Sequence, residues 1–172
     1  MNSILLIVFL FFPTYAYYNY VQFQYSPTTC TILNSDLTFL FDYNQNTFLI
    51  HGWWPNLCAE CISCGYPQCC NTDTSIYVQP NYTNLQWINQ YWYNTFTTDE
   101  CTGMSNVTLF QHEWQKHITC SSIGNSDNYV TFMQQLYHKF NNNNLLNNCL
   151  GYDQLWLHLD NNLNYLNLTC SN

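Results

Sequence analysis

The sequence predicts one disulfide-stapled domain of α+β class, and three observations carry that expectation. Two stretches place apolar residues at the three-to-four spacing of a helix. A stretch near the C-terminus alternates as a half-buried strand does, and ten cysteines follow an apolar leader.

The leader comes first along the chain. Ile4 to Phe12 is an apolar run, and Pro13-Thr14-Tyr15-Ala16 follows it as a cleavage region would. The run is too short to span a membrane, and no later one approaches the roughly 20 residues required. Residues 1–16 are therefore expected to be a signal peptide and 17–172 one domain with one core, outside the cytosol and acting as a monomer. The cysteines at 30, 58, 61, 64, 69, 70, 101, 120, 149 and 170 form an even set, which in an oxidising compartment implies up to five disulfides. The spacing of Cys58, Cys61 and Cys64 imitates a zinc site, but that compartment favours disulfides over thiolate ligands.

Thr83-Asn-Leu-Gln86 has the form of a capping box opening a helix, with Leu85, Ile88 and Trp92 on its apolar side. Tyr129, Phe132, Met133, Leu136, Tyr137 and Phe140 predict a second amphipathic helix. Asn141 to Asn144 is expected to be a polar loop, and Leu155, Leu157 and Leu159, alternating with Trp156 and His158, a strand. His138 and His158 are assigned to exposed or half-exposed faces with no catalytic part. Three Asn-x-Thr sequons, at Asn81, Asn106 and Asn167, would mark surface positions if glycosylated.

The chemistry concentrates in two segments, Phe48-Leu-Ile-His51-Gly-Trp-Trp54-Pro-Asn56 and Phe110-Gln-His112-Glu113-Trp-Gln-Lys116-His117-Ile-Thr-Cys120. They hold three of the five histidines and one of the two basic side chains. On a helix, where residues turn by about 100°, His112, Glu113, Lys116 and His117 share one arc of about 140°. Trp114 and Ile118 lie four residues apart on the other side, as an anchoring pair does. A zinc-protease helix would need its two histidines at i and i+4. Here they stand at i and i+5, with Lys116 where the second ligand belongs.

Two imidazoles from separate segments, a lysine and a carboxylate are instead the parts of metal-free phosphoryl transfer. Imidazole, with an unperturbed pKa of about 6.5, can take a proton or give one. The lysine, the third histidine and the glutamate would hold the charge that builds on phosphorus. If the nucleophile is the substrate's own 2′-hydroxyl, no cofactor is needed and the substrate is RNA.

These segments resemble the two active-site signatures of the ribonuclease T2 family, secreted or lysosomal acid endoribonucleases. The first signature is matched at His51, Gly52, Trp54 and Pro55. The second is matched at His112, Glu113, Trp114, Lys116, His117, Thr119 and Cys120, about 60 residues further on. Tyr20 to Cys30 is similar to the family's first strand, and Tyr66-Pro-Gln-Cys-Cys70 stands where the family has a cysteine pair. The resemblance implies a central antiparallel sheet flanked by helices, with His51 at a strand end and the second signature on a facing helix. It implies His117 as general base on the 2′-hydroxyl, His51 as general acid to the leaving 5′-oxygen and His112 on the phosphate. Lys116 and Glu113 would stabilise the transition state, and the product would be a 2′,3′-cyclic phosphate. Trp54 matches a position that stacks on the substrate base, Asn56 one that hydrogen-bonds it, and Tyr66 a second wall of that site. Cys120 should pair with Cys69 or Cys70.

Three departures from the family pattern are Trp53 in place of Leu, Asn56 in place of Asp, and Ile118 in place of Gly. Asn56 presents amide donors as well as an acceptor, which bears on base preference. If the family glycine ends the helix with a positive φ, Ile118 copies it only under strain. The formal charge of −8 and the absence of arginine also run against the basic footprint usual in nucleic-acid binders. Protonation of all five histidines would bring that charge from −8 to about −3 and put positive charge at the site, so acid should favour activity. Two further readings stay open. One is a family member that has lost turnover and serves as an extracellular binding or signalling protein, and the other is a stapled module whose motif residues are structural.

Overall fold

The computed structural model describes residues 32–57, 68–71, 73, 76–121, 123–141 and 145–172. The expected signal peptide, the strand expected over 20–30, Tyr66, and Cys30, Cys58, Cys61 and Cys64 lie outside them. In chain order the elements are β1 (Ile32–Asp42), β2 (Thr47–Leu57), α1 (Tyr82–Tyr91), β3 (Phe96–Thr97), β4 (Val107–Thr108), α2 (Leu109–Lys116), α3 (Ser126–Asn141), β5 (Gln154–Asp160) and β6 (Tyr165–Ser171). The long strands form one antiparallel sheet in the order β2-β1-β5-β6, and β3 pairs with β4 in a ribbon of its own. This is the α+β arrangement of antiparallel sheet and flanking helices.

Alternation decides which sheet face is buried. Leu37, Phe39 and Phe41 on β1 and Leu155, Leu157 and Leu159 on β5 turn into the core. On α3, Tyr129, Phe132, Met133, Leu136, Tyr137 and Phe140 are all buried, so the apolar stripe read from the sequence is the face that packs. Trp53, fully buried, meets Phe132 edge to face at 4.7 Å between ring centres. The tryptophan that departs from the family pattern is thus a core residue.

One irregularity sets up the site. The β1–β2 register pairs Phe39 with Ile50 and Thr38 with Gly52, so His51 is an extra residue without a partner across the ladder. This bulge lets Ile50 and Trp53, three residues apart, both face the core, and it sets His51 in the middle of β2 and not at the strand end expected.

Two local expectations are corrected. The N-cap of α1 is Asn81, whose side chain accepts from the Asn84 N–H, and not Thr83, which lies inside the first turn. Asparagine is the stronger cap, and the Asp127 carboxylate holds Asn81 there by accepting from both its backbone and its side-chain N–H groups. The helix carrying the second signature ends at Lys116. His117 is its C-cap, and Ile118 begins a separate 3₁₀ turn, Ile118–Cys120.

Three disulfides join described residues, Cys69–Cys101, Cys70–Cys120 and Cys149–Cys170. The partner of Cys120 is therefore Cys70. No described helix is long and apolar enough to cross a membrane. Asn81, Asn106 and Asn167 are all exposed, and His158 is half-buried on the sheet face away from the leucines.

Because Leu157 has no exposed surface at the centre of the sheet, Leu157→Ala should cost about 2–5 kcal/mol. A urea unfolding midpoint measures this, and a loss below about 1 kcal/mol would contradict the packing described.

Candidate active site

A threonine opens the helix that bears the second signature. Thr108 caps α2, its hydroxyl oxygen accepting from the Gln111 N–H at 3.2 Å, and Leu109, Phe110 and Trp114 bury one side of the helix. With only eight residues, α2 depends on that burial for its stability. Ile118 continues the buried side into the next turn.

The polar arc divides into two rows. Glu113 and His117, one helical turn apart, face β2. His112 and Lys116, also one turn apart, lie on the side of the loop around Glu100. In the first row the Glu113 side chain, 2 % exposed, has Oε1 3.2 Å from Nε2 of His51 and Oε2 4.0 Å from Nε2 of His117. The Trp54 indole N–H donates to Oε2 at 2.6 Å. Burial pushes the Glu113 carboxyl upward in pKa. The hydrogen bond and charge of His51, the charge of His117 and the Trp54 N–H outweigh it and hold the group below the usual carboxylate value.

Gly52 explains how the strand comes so close. A Cβ there would stand 2.4 Å from Oε2 of Glu113 and 2.9 Å from Nε1 of Trp54. Any side chain would occupy the space of the carboxylate itself. The Gly52 carbonyl is tied back to β1 by the Thr38 hydroxyl at 3.2 Å.

Trp54 is half-buried among the histidines and does not stand apart from them. Its ring lies 5.2 Å from His51 and 4.8 Å from Trp156, edge to face in both cases, and 5.3 Å from His117 at a tilt of 34°. Sequence reading had no means of placing Trp156 in this group, since it pairs through a strand more than a hundred residues away.

In the second row Lys116 Nζ lies 2.7 Å from Oε2 of Glu100 and donates to it. Glu100 is held below the usual carboxylate value by that hydrogen bond and the lysine charge, with smaller contributions from His112 and His117. His112 is buried, and its Nδ1 has no hydrogen-bond partner among the described residues. Asn56 is the next-to-last residue of β2, and Tyr66 falls outside the described residues.

Ile118 is not strained. The described non-glycine residues with positive φ are Asn46, Cys69, Asn106 and Leu163, and Ile118 is buried in the 3₁₀ turn after His117. The expectation of a β-branched residue forced into a left-handed position is corrected, because the chain tightens after His117 instead of reversing hand.

The model of the Ribonuclease T2 family matches residues 15–150, well over half of the chain. The chain belongs to the ribonuclease T2 family. No curated protein and no solved structure matches it significantly. The family match spans both signatures and stops before β5, so half of the central sheet lies beyond it. Family membership supports ribonuclease activity and the general T2-type mechanism.

Two predictions follow from the buried carboxylate. Gly52→Ala should lower stability by about 1–3 kcal/mol, because Glu113 is held on three sides and cannot swing away; an unchanged urea midpoint would contradict the close approach. Glu113 has a folded pKa below its ordinary 4.5. Its stabilising contribution is therefore present above about pH 4.5 and lost as pH falls through the lower folded value. Unfolding midpoints measured across that range should decline on the acid side. Glu113→Gln should flatten the decline, leaving the slope due to Glu100 and Asp160, which also titrate low.

Proposed function

We propose that the protein is a secreted endoribonuclease that cleaves single-stranded RNA without a metal ion or other cofactor. The observation that carries this reading is one buried carboxylate, Glu113, within 4.0 Å of two imidazoles brought from separate elements. An acid and a base acting on the two sides of one phosphate need fixed positions, and a shared buried anion fixes two rings at once.

In this mechanism His117 takes the proton of the 2′-hydroxyl as that oxygen attacks phosphorus. The bond from phosphorus to the 5′-oxygen breaks, and His51 gives that oxygen its proton. The products are a 2′,3′-cyclic phosphate and a free 5′-hydroxyl. Water then opens the cyclic phosphate with the roles of the two histidines exchanged. Lys116 and His112 neutralise the phosphate oxygens, and Glu113 orients the imidazoles while balancing their charge. Trp54, beside both imidazoles, is the ring on which a base would stack, with Asn56 and Tyr66 completing the base site.

The acidic surface favours one further reading, a family member that binds RNA or a partner without turning it over. The unstrained Ile118 removes the other argument for it.

The test is incubation of the purified, oxidised protein with single-stranded RNA and matching DNA from pH 4 to 8 in EDTA, scoring 2′,3′-cyclic phosphate ends. RNA-only cleavage, stronger on the acid side, is the expected result. His51→Ala and His117→Ala should each reduce the rate by about 10²- to 10⁴-fold. Retention of wild-type cleavage by both variants would overturn the assignment, and a folded wild-type protein without cleavage at any pH would favour the binding reading.

A further inference from the structure

The chain has two basic side chains, and the one on the helix of the candidate site is already occupied. Lys116 Nζ donates to Oε2 of Glu100 at 2.7 Å. The lysine side chain is 16 % exposed and the glutamate 68 %, so the cation sits in the wall of the site and the anion reaches it from solvent.

The placement of Glu100 is built into the framework. Asp99, fully buried, accepts from the Cys101 and Thr102 N–H groups at 2.7 and 3.1 Å, and its own N–H donates to the Met104 carbonyl at 2.8 Å. The turn so formed is tied by the Cys69–Cys101 disulfide to a segment that is itself bound to α2. The Cys69 N–H donates to the Lys116 carbonyl at 2.7 Å, and Cys70 is bonded to Cys120. Two adjacent disulfides thus bracket the residue before Cys101 and the end of the helix bearing Lys116. An ordinary surface ion pair has no such support.

We propose that Glu100 is an internal anion that occupies the phosphate position on Lys116 and must be displaced when a substrate phosphate binds. The inference rests on the reading of Lys116 as a phosphate ligand. A carboxylate and a phosphate oxygen are both acceptors for the same ammonium group. The charges of His112 and His117 act on Glu100 as well, so its negative charge bears on those two rings in addition to Lys116. The residue sets the threshold for substrate binding. A phosphodiester must offer more than a mostly solvated carboxylate does, which favours polyanionic RNA, with neighbouring phosphates and bases to add contacts, over free inorganic phosphate.

The experiment compares wild type, Glu100→Gln, Lys116→Gln and the double variant. It measures kcat and KM on single-stranded RNA and, independently of turnover, the affinity for inorganic phosphate followed by the NMR shifts of the histidine rings. Glu100→Gln should lower KM and tighten phosphate binding by about three- to tenfold, with kcat little changed. The gain should shrink at high salt and vanish in the Lys116→Gln background. Unchanged phosphate affinity in Glu100→Gln, or a fall in kcat showing that the carboxylate positions Lys116 productively, would overturn the proposal. Cleavage of RNA with no effect of Glu100 removes the gate and leaves the ribonuclease reading intact. A Glu100-dependent gain in phosphate affinity without any cleavage does the reverse.

Discussion

A carboxylate with only 2 % of its side chain exposed must be compensated on every side, and the site is organised around that necessity at Glu113. Its oxygens are met by His51, His117 and the Trp54 indole, partners that come from a strand and a helix far apart in the sequence. Gly52 supplies the missing volume, and the bulge at His51 supplies the direction. Remove the bulge and His51 becomes an ordinary ladder residue while Trp53 leaves the core.

The same centre links stability to chemistry. Leu109, Phe110 and Trp114 on one side of α2 anchor the helix, so the position of Glu113 and His117 is fixed by apolar packing at their backs. Trp53 and Phe132 do the equivalent work under β2. His51 and His117 are each held by a packed element, and the loops contribute mainly through the cysteines that bind them to those elements.

Charge is used sparingly. A surface of net charge −8 offers RNA no long-range attraction. Binding at such a site depends on short-range contacts, aromatic faces and local protonation of histidines. Lys116, paired to Glu100, is not a bare cation, and on the proposed reading a phosphate would bind there by exchange of one anion for another.

Much was legible in the sequence because it is a property of short stretches. Helical spacing put His112, Glu113, Lys116 and His117 on one arc, and the apolar stripe of α3 and the leucine alternation of β5 named the buried faces correctly. The cap of α1 was misread because Asn81 and Thr83 are both good caps, and Asp127, a residue 46 positions away, favours the first. Tertiary structure alone decided that His51 is a bulge residue, that Cys120 pairs with Cys70, that Ile118 is unstrained and that Glu100 stands on Lys116. Glu100 had no local signal beyond its neighbour Cys101. The physical reason is range: periodicity, capping and motif spacing are written within a few residues. Register, disulfide partner and the company of a buried charge are settled only when distant segments compete for the same space.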